Sequence, residues 1–137
     1  MNTYRWEEIS IGMEEHFTVV ITEKMLDGFK EITGDINPLH QSREFAMEKG
    51  YADRVGYGML TASFLSTLAG VYLPGERSLI HSVETKFLKP VYVGDELTIS
   101  GKVSEMDERF RILKLKVTIT NQKSEKVCKG TMQIGIL

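Results

Sequence analysis

The sequence predicts an α+β fold in which a curved antiparallel sheet wraps a long buried helix. Three observations predict it. The segment from Met59 to Leu73 carries Leu60, Phe64, Leu65, Leu68, Val71 and Tyr72, has no charged residue, and keeps only small polar side chains, Thr61, Ser63, Ser66 and Thr67. A helix that is apolar on every side is buried rather than surface-lying. Beyond Pro74 the chain reads as β structure, and helices precede strands instead of alternating with them, which puts the helices on one face of an antiparallel sheet.

Phe17 to Ile21 is β-branched and aromatic and reads as a strand. Thr22 is a good N-cap with Glu23 in the first turn, where a carboxylate complements the helix dipole. Met25, Leu26, Phe29 and Ile32 then recur at helical spacing, and Gly34 ends the helix. Ser42 caps a second, short helix with Glu44 in its first turn and Gly50 as its stop. Tyr51 to Gly58 is a loop. The apolar segment from Met59 to Leu73 makes a helix of about 22 Å at the standard rise per residue, and Pro74-Gly75 terminates it.

Ser78 to Phe87 is a strand, and Pro90 and Gly94-Asp95 punctuate the stretch after it. Leu97, Ile99 and Val103 alternate with polar residues. Leu113, Leu115, Val117 and Ile119 alternate with Lys114, Lys116, Thr118 and Thr120, the period of two that a half-buried strand requires. Asn121 to Glu125 is a hairpin loop, and Cys128, Gly130, Met132, Ile134 and Ile136 form one face of a last strand. A small sheet does not cover a helix that is apolar all round, so a second subunit is expected to cover the rest.

Bulk composition limits the function classes. The 137 residues fit one domain spanning 1–137, and a chain of this size buries roughly two-thirds of its extended-chain surface. A net charge of −2, from 17 basic and 19 acidic residues, gives no broad basic face, so nucleic acid is not an expected partner. The single cysteine, Cys128, forms no internal disulfide and is expected as a buried thiol, which fits a reducing, cytoplasmic compartment. The first eight residues lack the apolar core of a signal peptide. No run approaches the ~20 apolar residues of a bilayer span, so no membrane partner is expected. Three scattered histidines and one cysteine make no metal-ligand pattern. His16 and His81 fall in strand-like contexts.

The chemistry concentrates in Gly34-Asp35-Ile36-Asn37-Pro38-Leu39-His40. Fully extended, Asp35 and His40 would stand about 17 Å apart, too far to share one water. Pro38 fixes its own φ and favours the first central position of a type I turn with Asn37 before it. The chain then folds back, and a carboxylate and an imidazole can face one site, a pairing suited to general acid–base chemistry on a small molecule. Asn37 is the strut of that turn. An ordinary Asx turn beside an unrelated histidine would have the same spacing.

Thr33-Gly34-Asp35-Ile36-Asn37-Pro38-Leu39-His40, Gly58-Met59-Leu60 and Phe87-Leu88-Lys89-Pro90-Val91-Tyr92-Val93-Gly94-Asp95 stand in an order that resembles the MaoC-like, (R)-specific enoyl-CoA hydratase family. The resemblance covers nearly the whole chain. It implies the hot-dog fold, with the apolar segment as its central helix, and reversible hydration of trans-2-enoyl thioesters to (R)-3-hydroxyacyl thioesters without a cofactor. Asp35 and His40 would activate water, and the backbone amide of Gly58, at the helix N-terminus, would receive the thioester oxygen. The resemblance also implies an acyl thioester of coenzyme A or of acyl carrier protein as partner. It implies a homodimer joined edge to edge through its sheets, or a higher oligomer such as a hexamer. Asn37, Tyr57, Met59 and Ser66 are the expected substrate-binding residues, with Arg54, Arg77 and Lys89 as candidate phosphate anchors. Two positions depart from the family pattern: Tyr57 stands where histidine is frequent, and Ser42 where aspartate is frequent. A hot-dog acyl-CoA thioesterase and a non-catalytic acyl-thioester-binding protein are the alternatives, and the sequence leaves open which of Asp35 and His40 is the base.

Overall fold

The computed structural model describes residues 1–137. Five strands form one antiparallel sheet: β1 (Glu14–Val20), β2 (Ser78–Phe87), β3 (Glu96–Asp107), β4 (Ile112–Thr120) and β5 (Lys126–Ile136), in the order β1-β3-β4-β5-β2. Side-chain alternation fixes which face is inside, because a one-residue slip would turn every apolar side chain to solvent. The register pairs Ile99 with Ile119, Leu115 with Met132 and Leu113 with Ile134. Leu97, Ile99, Leu113, Leu115, Ile119, Cys128, Met132 and Ile134 are all wholly buried. Each fully buried leucine or isoleucine contributes roughly 1.5–3 kcal/mol of transfer free energy.

Four helices occupy the stretch between β1 and β2: α1 (Glu23–Thr33), α2 (Pro38–Gln41), α3 (Arg43–Glu48) and α4 (Gly58–Thr67). Leu65, and beyond the helix Leu68, Ala69 and Leu73, are buried in the core they share with the sheet. Gly101 in β3 makes the close approach possible, since a Cβ there would stand 2.9 Å from the Leu68 Cδ2.

The sequence expectation holds for the order and type of these elements, with three corrections. First, the apolar segment is not one α-helix to Leu73; it is α-helical to Thr67 and widens into a π turn over Leu68–Tyr72. Nor is it buried all round: Met59, Ser63 and Ser66 are exposed, because a five-stranded sheet edged by β2 reaches around only one side of it. Second, Pro38 does not occupy a type I turn. Its fixed φ also suits the first residue of a helix, and the chain continues into the single turn α2. Third, β1 begins at Glu14, ahead of Phe17, because Glu14, His16 and Thr18 can all face solvent while the intervening residues pack inward. A 3-10 turn at Trp6–Glu8 precedes it, which the mixed-charge N-terminus gave no reason to expect.

Candidate active site

The site is assembled where α1 ends. Thr22 caps α1, its side chain accepting the Met25 N–H at 3.2 Å. Gly34 closes it in the left-handed region at φ 73°, donating its N–H to the Lys30 carbonyl at 2.7 Å. A glycine adopts that conformation without the steric cost a side chain would bring. The chain then turns twice through its own side chains. Asp35 Oδ1 accepts the Asn37 N–H at 3.0 Å, and Asn37 Oδ1 accepts the Leu39 N–H at 2.9 Å. These are Asx turns, which substitute a side-chain oxygen for a backbone carbonyl. Asn37 is thus the N-cap of α2, the strut expected of it.

α2 delivers His40 to the interior side. His40 Nδ1 lies 2.7 Å from the Val55 carbonyl oxygen, and the Val55 N–H donates to the Leu39 carbonyl at 3.0 Å. Ser42 accepts the Phe45 N–H at 3.1 Å and caps α3, as the sequence predicts. The loop after α3 returns beneath His40 because Gly56 donates its N–H to the Val91 carbonyl at 2.6 Å. A Cβ on Gly56 would stand only 2.8 Å from that oxygen.

Tyr57 comes next, almost wholly buried at 2% exposure. Its hydroxyl donates to the Asp35 carbonyl at 2.7 Å and receives the Gln41 side-chain N–H at 2.8 Å. Its ring lies 4.2 Å from the His40 ring and 4.8 Å from the Phe29 ring. Burial first, and then the charge of Asp35, push the Tyr57 hydroxyl above its ordinary range, so it remains a donor at neutral pH.

Gly58 opens α4. The N–H groups of Leu60 and Thr61 return to the Tyr57 carbonyl, but that of Gly58 has no partner within the chain. This is the ordinary state of a first-turn amide, and it carries the positive end of the helix dipole. The Phe87 ring rests against Gly58, 3.2 Å from where a Cβ would be.

His40 and Gly58 share a cavity of about 300 Å³, whose walls include Tyr51, Thr61, Phe87 and Val91. That is the lower end of the usual range for small-molecule sites. Asp35 is half-buried and outside the cavity lining; Tyr57 links it to His40. Of the residues expected to meet substrate, Met59 and Ser66 lie on the exposed side of α4, Asn37 spends its side chain on the cap, and Tyr57 spends its hydroxyl inside the protein. None of these four lines the cavity.

Of the cationic candidates, Lys89 lines the cavity and is bonded to Glu125, whose carboxyl it holds below the usual range. Arg54 pairs with Glu23 at 3.3 Å. Arg77, before β2, has a buried Nε without a hydrogen-bond partner.

Sequence reasoning missed Val55, Gly56, Gln41 and Phe87. Val55 and Gly56 act through backbone atoms, which leave no side-chain signature. Gln41 could have been suspected from its place beside His40.

Comparison with known proteins settles the class. The MaoC-like domain family matches residues 8–126, and the chain belongs to that family, with its hot-dog fold. Over 113 residues it is 33% identical to a 3-hydroxybutyryl-CoA dehydratase of Methylorubrum extorquens, covering 82% of this chain and 72% of the relative. Over 116 residues it is 30% identical to an (R)-specific enoyl-CoA hydratase of Aeromonas caviae, covering 85% and 87%. Among solved structures, the (R)-hydratase from A. caviae involved in PHA biosynthesis superposes with a TM-score of 0.91 at 27% identity, covering 96% of this chain and 99% of that one. No helix is long and apolar enough to cross a membrane.

Proposed function

We propose that this protein catalyses the reversible syn hydration of trans-2-enoyl thioesters to (R)-3-hydroxyacyl thioesters, carried by coenzyme A or acyl carrier protein. One observation carries the reading: His40 and Gly58, whose amide is unpartnered, line the same open cavity, which brings a proton carrier and a donor for developing negative charge to one space. The activities for which the relatives are named agree with it.

The reading carries a mechanism with it. A carbonyl can only accept, so His40 donates from Nδ1 to Val55, and the tautomer this selects carries its lone pair on Nε2. Asp35 commits Oδ1 to the Asn37 N–H and keeps its other oxygen free. Asp35 stands outside the cavity lining, so the mechanism requires its free oxygen to reach in to a water held at His40 Nε2; that water would donate a hydrogen to each and turn a lone pair toward the β-carbon of the enoyl group. As the C–O bond forms, one water proton passes to the Asp35/His40 pair and is returned to the α-carbon on the same face. The thioester oxygen gathers charge as an enolate while it accepts the Gly58 N–H; one such donor is worth roughly 3–4 kcal/mol in comparable sites. Dehydration runs the same steps in reverse.

The assembly this reading carries is a homodimer formed through β2. That strand pairs only with β5, which leaves its other edge open. Leu79, Val83 and Phe87 on β2 and Met59 on α4 are large apolar side chains exposed at 45% or more.

The test is a spectrophotometric assay with crotonyl-CoA and a longer enoyl-CoA, with the chirality of the product determined. Loss of enone absorbance and an (R)-alcohol are expected. Release of free thiol with the enone absorbance unchanged would instead mark a thioesterase and overturn the reading.

A further inference from the structure

We propose that Tyr57 is the positioning residue of this site, locking the Asp35 turn and the His40 ring to the N-terminus of α4. The inference rests on the hydratase reading and deepens it.

Four separate elements converge on this one residue, three on its side chain and one on its backbone carbonyl. Its hydroxyl bonds the backbone of Asp35, in the turn after α1. Its ring packs on His40 of α2 and on Phe29 of α1. Its own carbonyl takes the first two helical N–H bonds of α4, and the next amide in the chain is that of Gly58. The spacing between the acid–base pair and the Gly58 donor is therefore set through this rigid ring together with the Val55 backbone that holds His40 and Leu39.

The hydrogen bonds have a fixed direction. Gln41 donates into the Tyr57 oxygen, and Tyr57 must then donate onward to Asp35. A chain of donors in one sense polarises each member and resists reversal. The accepting atom is the main-chain oxygen of Asp35, so Tyr57 leaves the carboxylate free while fixing where it starts from. Tyr57 is buried at 2% exposure and does not line the cavity, so its contacts are with other residues of the site. A tyrosine is long enough to reach the Asp35 carbonyl and flat enough to support the imidazole, two tasks a buried aliphatic residue cannot combine.

A core-filling role would need only the ring. Tyr57→Phe keeps the ring and deletes the hydroxyl, which separates the two cases. With crotonyl-CoA, kcat is expected to fall roughly 10- to 100-fold, the scale on which small misplacement of a reacting group acts, with KM little changed. Exchange of the Asn37 amide proton, which reports on the Asp35 turn, is expected to accelerate in the same variant. Gln41→Met, which removes the outer donor and leaves Tyr57 intact, is expected to move both readouts in the same direction by less, and it carries the test if Tyr57→Phe does not fold. Wild-type kcat together with unchanged Asn37 exchange in Tyr57→Phe would overturn the proposal. A wild-type protein inactive on every enoyl thioester would overturn the hydratase reading instead, and the exchange measurement would still decide whether Tyr57 holds the turn.

Discussion

His40 stands with Nδ1 2.7 Å from the carbonyl oxygen of Val55, which fixes its tautomer and leaves Nε2 as the atom available to chemistry. An asparagine amide can occupy the Nδ1 position and still donate to Val55, but it places nothing at Nε2. His40→Asn is therefore expected to fold with a nearly unchanged melting temperature and to lose about 10²- to 10⁴-fold in kcat, the usual contribution of a general acid–base group. Turnover close to wild type would mean that Nε2 takes no part.

Asp35 divides its work between two oxygens. Oδ1 holds the Asn37 N–H at 3.0 Å, and an amide oxygen can accept that bond too, though more weakly than a carboxylate oxygen. Asp35→Asn should thus preserve the Asx turn while removing proton transfer. A kcat loss of about 10²-fold or more is expected, with circular dichroism unchanged. If activity falls only as far as the fold does, the carboxylate is structural.

Much of this arrangement was legible in the sequence, for physical reasons that differ by element. Period-two alternation at Leu113 to Thr120 reported a strand because one face of the sheet is dry and the other wet. Thr22, Gly34 and Ser42 marked helix ends because their capping bonds are local. Asn37 was legible as a strut because its cap is built from adjacent residues; that Asp35 would stand outside the cavity His40 lines was not, since the cavity walls come from distant segments. The exposed side of α4 was not legible, since how far a sheet wraps a helix is set by tertiary packing and not by the helix. The partners of Tyr57 were not legible either: the hydroxyl reaches back 22 residues to a backbone oxygen, and no side-chain pattern records such a contact. Tyr57 was expected to meet substrate because it precedes Gly58, yet its hydroxyl is spent inside the protein.

The loop beneath His40 tolerates no side chain at Gly56. A Cβ there would stand 2.8 Å from the Val91 carbonyl oxygen, a backbone atom that cannot swing away. Gly56→Ala is expected to destabilise the fold by about 1–3 kcal/mol, the range for overpacking a tight site, and to lower activity as well because Val55 would move with its neighbour. Chemical denaturation measures the first effect. An unchanged midpoint would show that the segment bearing Val91 yields.

Val83 pairs across β2 and β5 with the buried Met132, so it faces the core side, yet it is 45% exposed. The sheet ends there, and an open edge with apolar side chains is a template for pairing with another chain. Val83→Lys is expected to shift the protein from dimer to monomer in sedimentation velocity and to reduce activity with it. A wild-type protein that sediments as a monomer would show that the β2 edge recruits no second copy.

Cys128 is wholly buried in β5, with its sulfur 2.6 Å from the Thr85 hydroxyl oxygen. Burial pushes the thiol above its ordinary range, and the Thr85 bond offsets part of that rise. The folded protein therefore holds this proton to higher pH than the unfolded chain, whose thiol titrates near about 8.5. Below that pH both states are protonated and the full contribution to stability is present. Above it, unfolding releases a proton, so the contribution is lost as pH rises toward the folded-state value. Cys128→Ala is less stable at neutral pH because it leaves a cavity, but it has no proton to release. The stability gap between wild type and Cys128→Ala, measured by urea unfolding at neutral and alkaline pH, is expected to narrow as pH rises. A gap that stays constant would mean that Cys128 titrates alike in both states and that its burial carries no penalty for the thiolate.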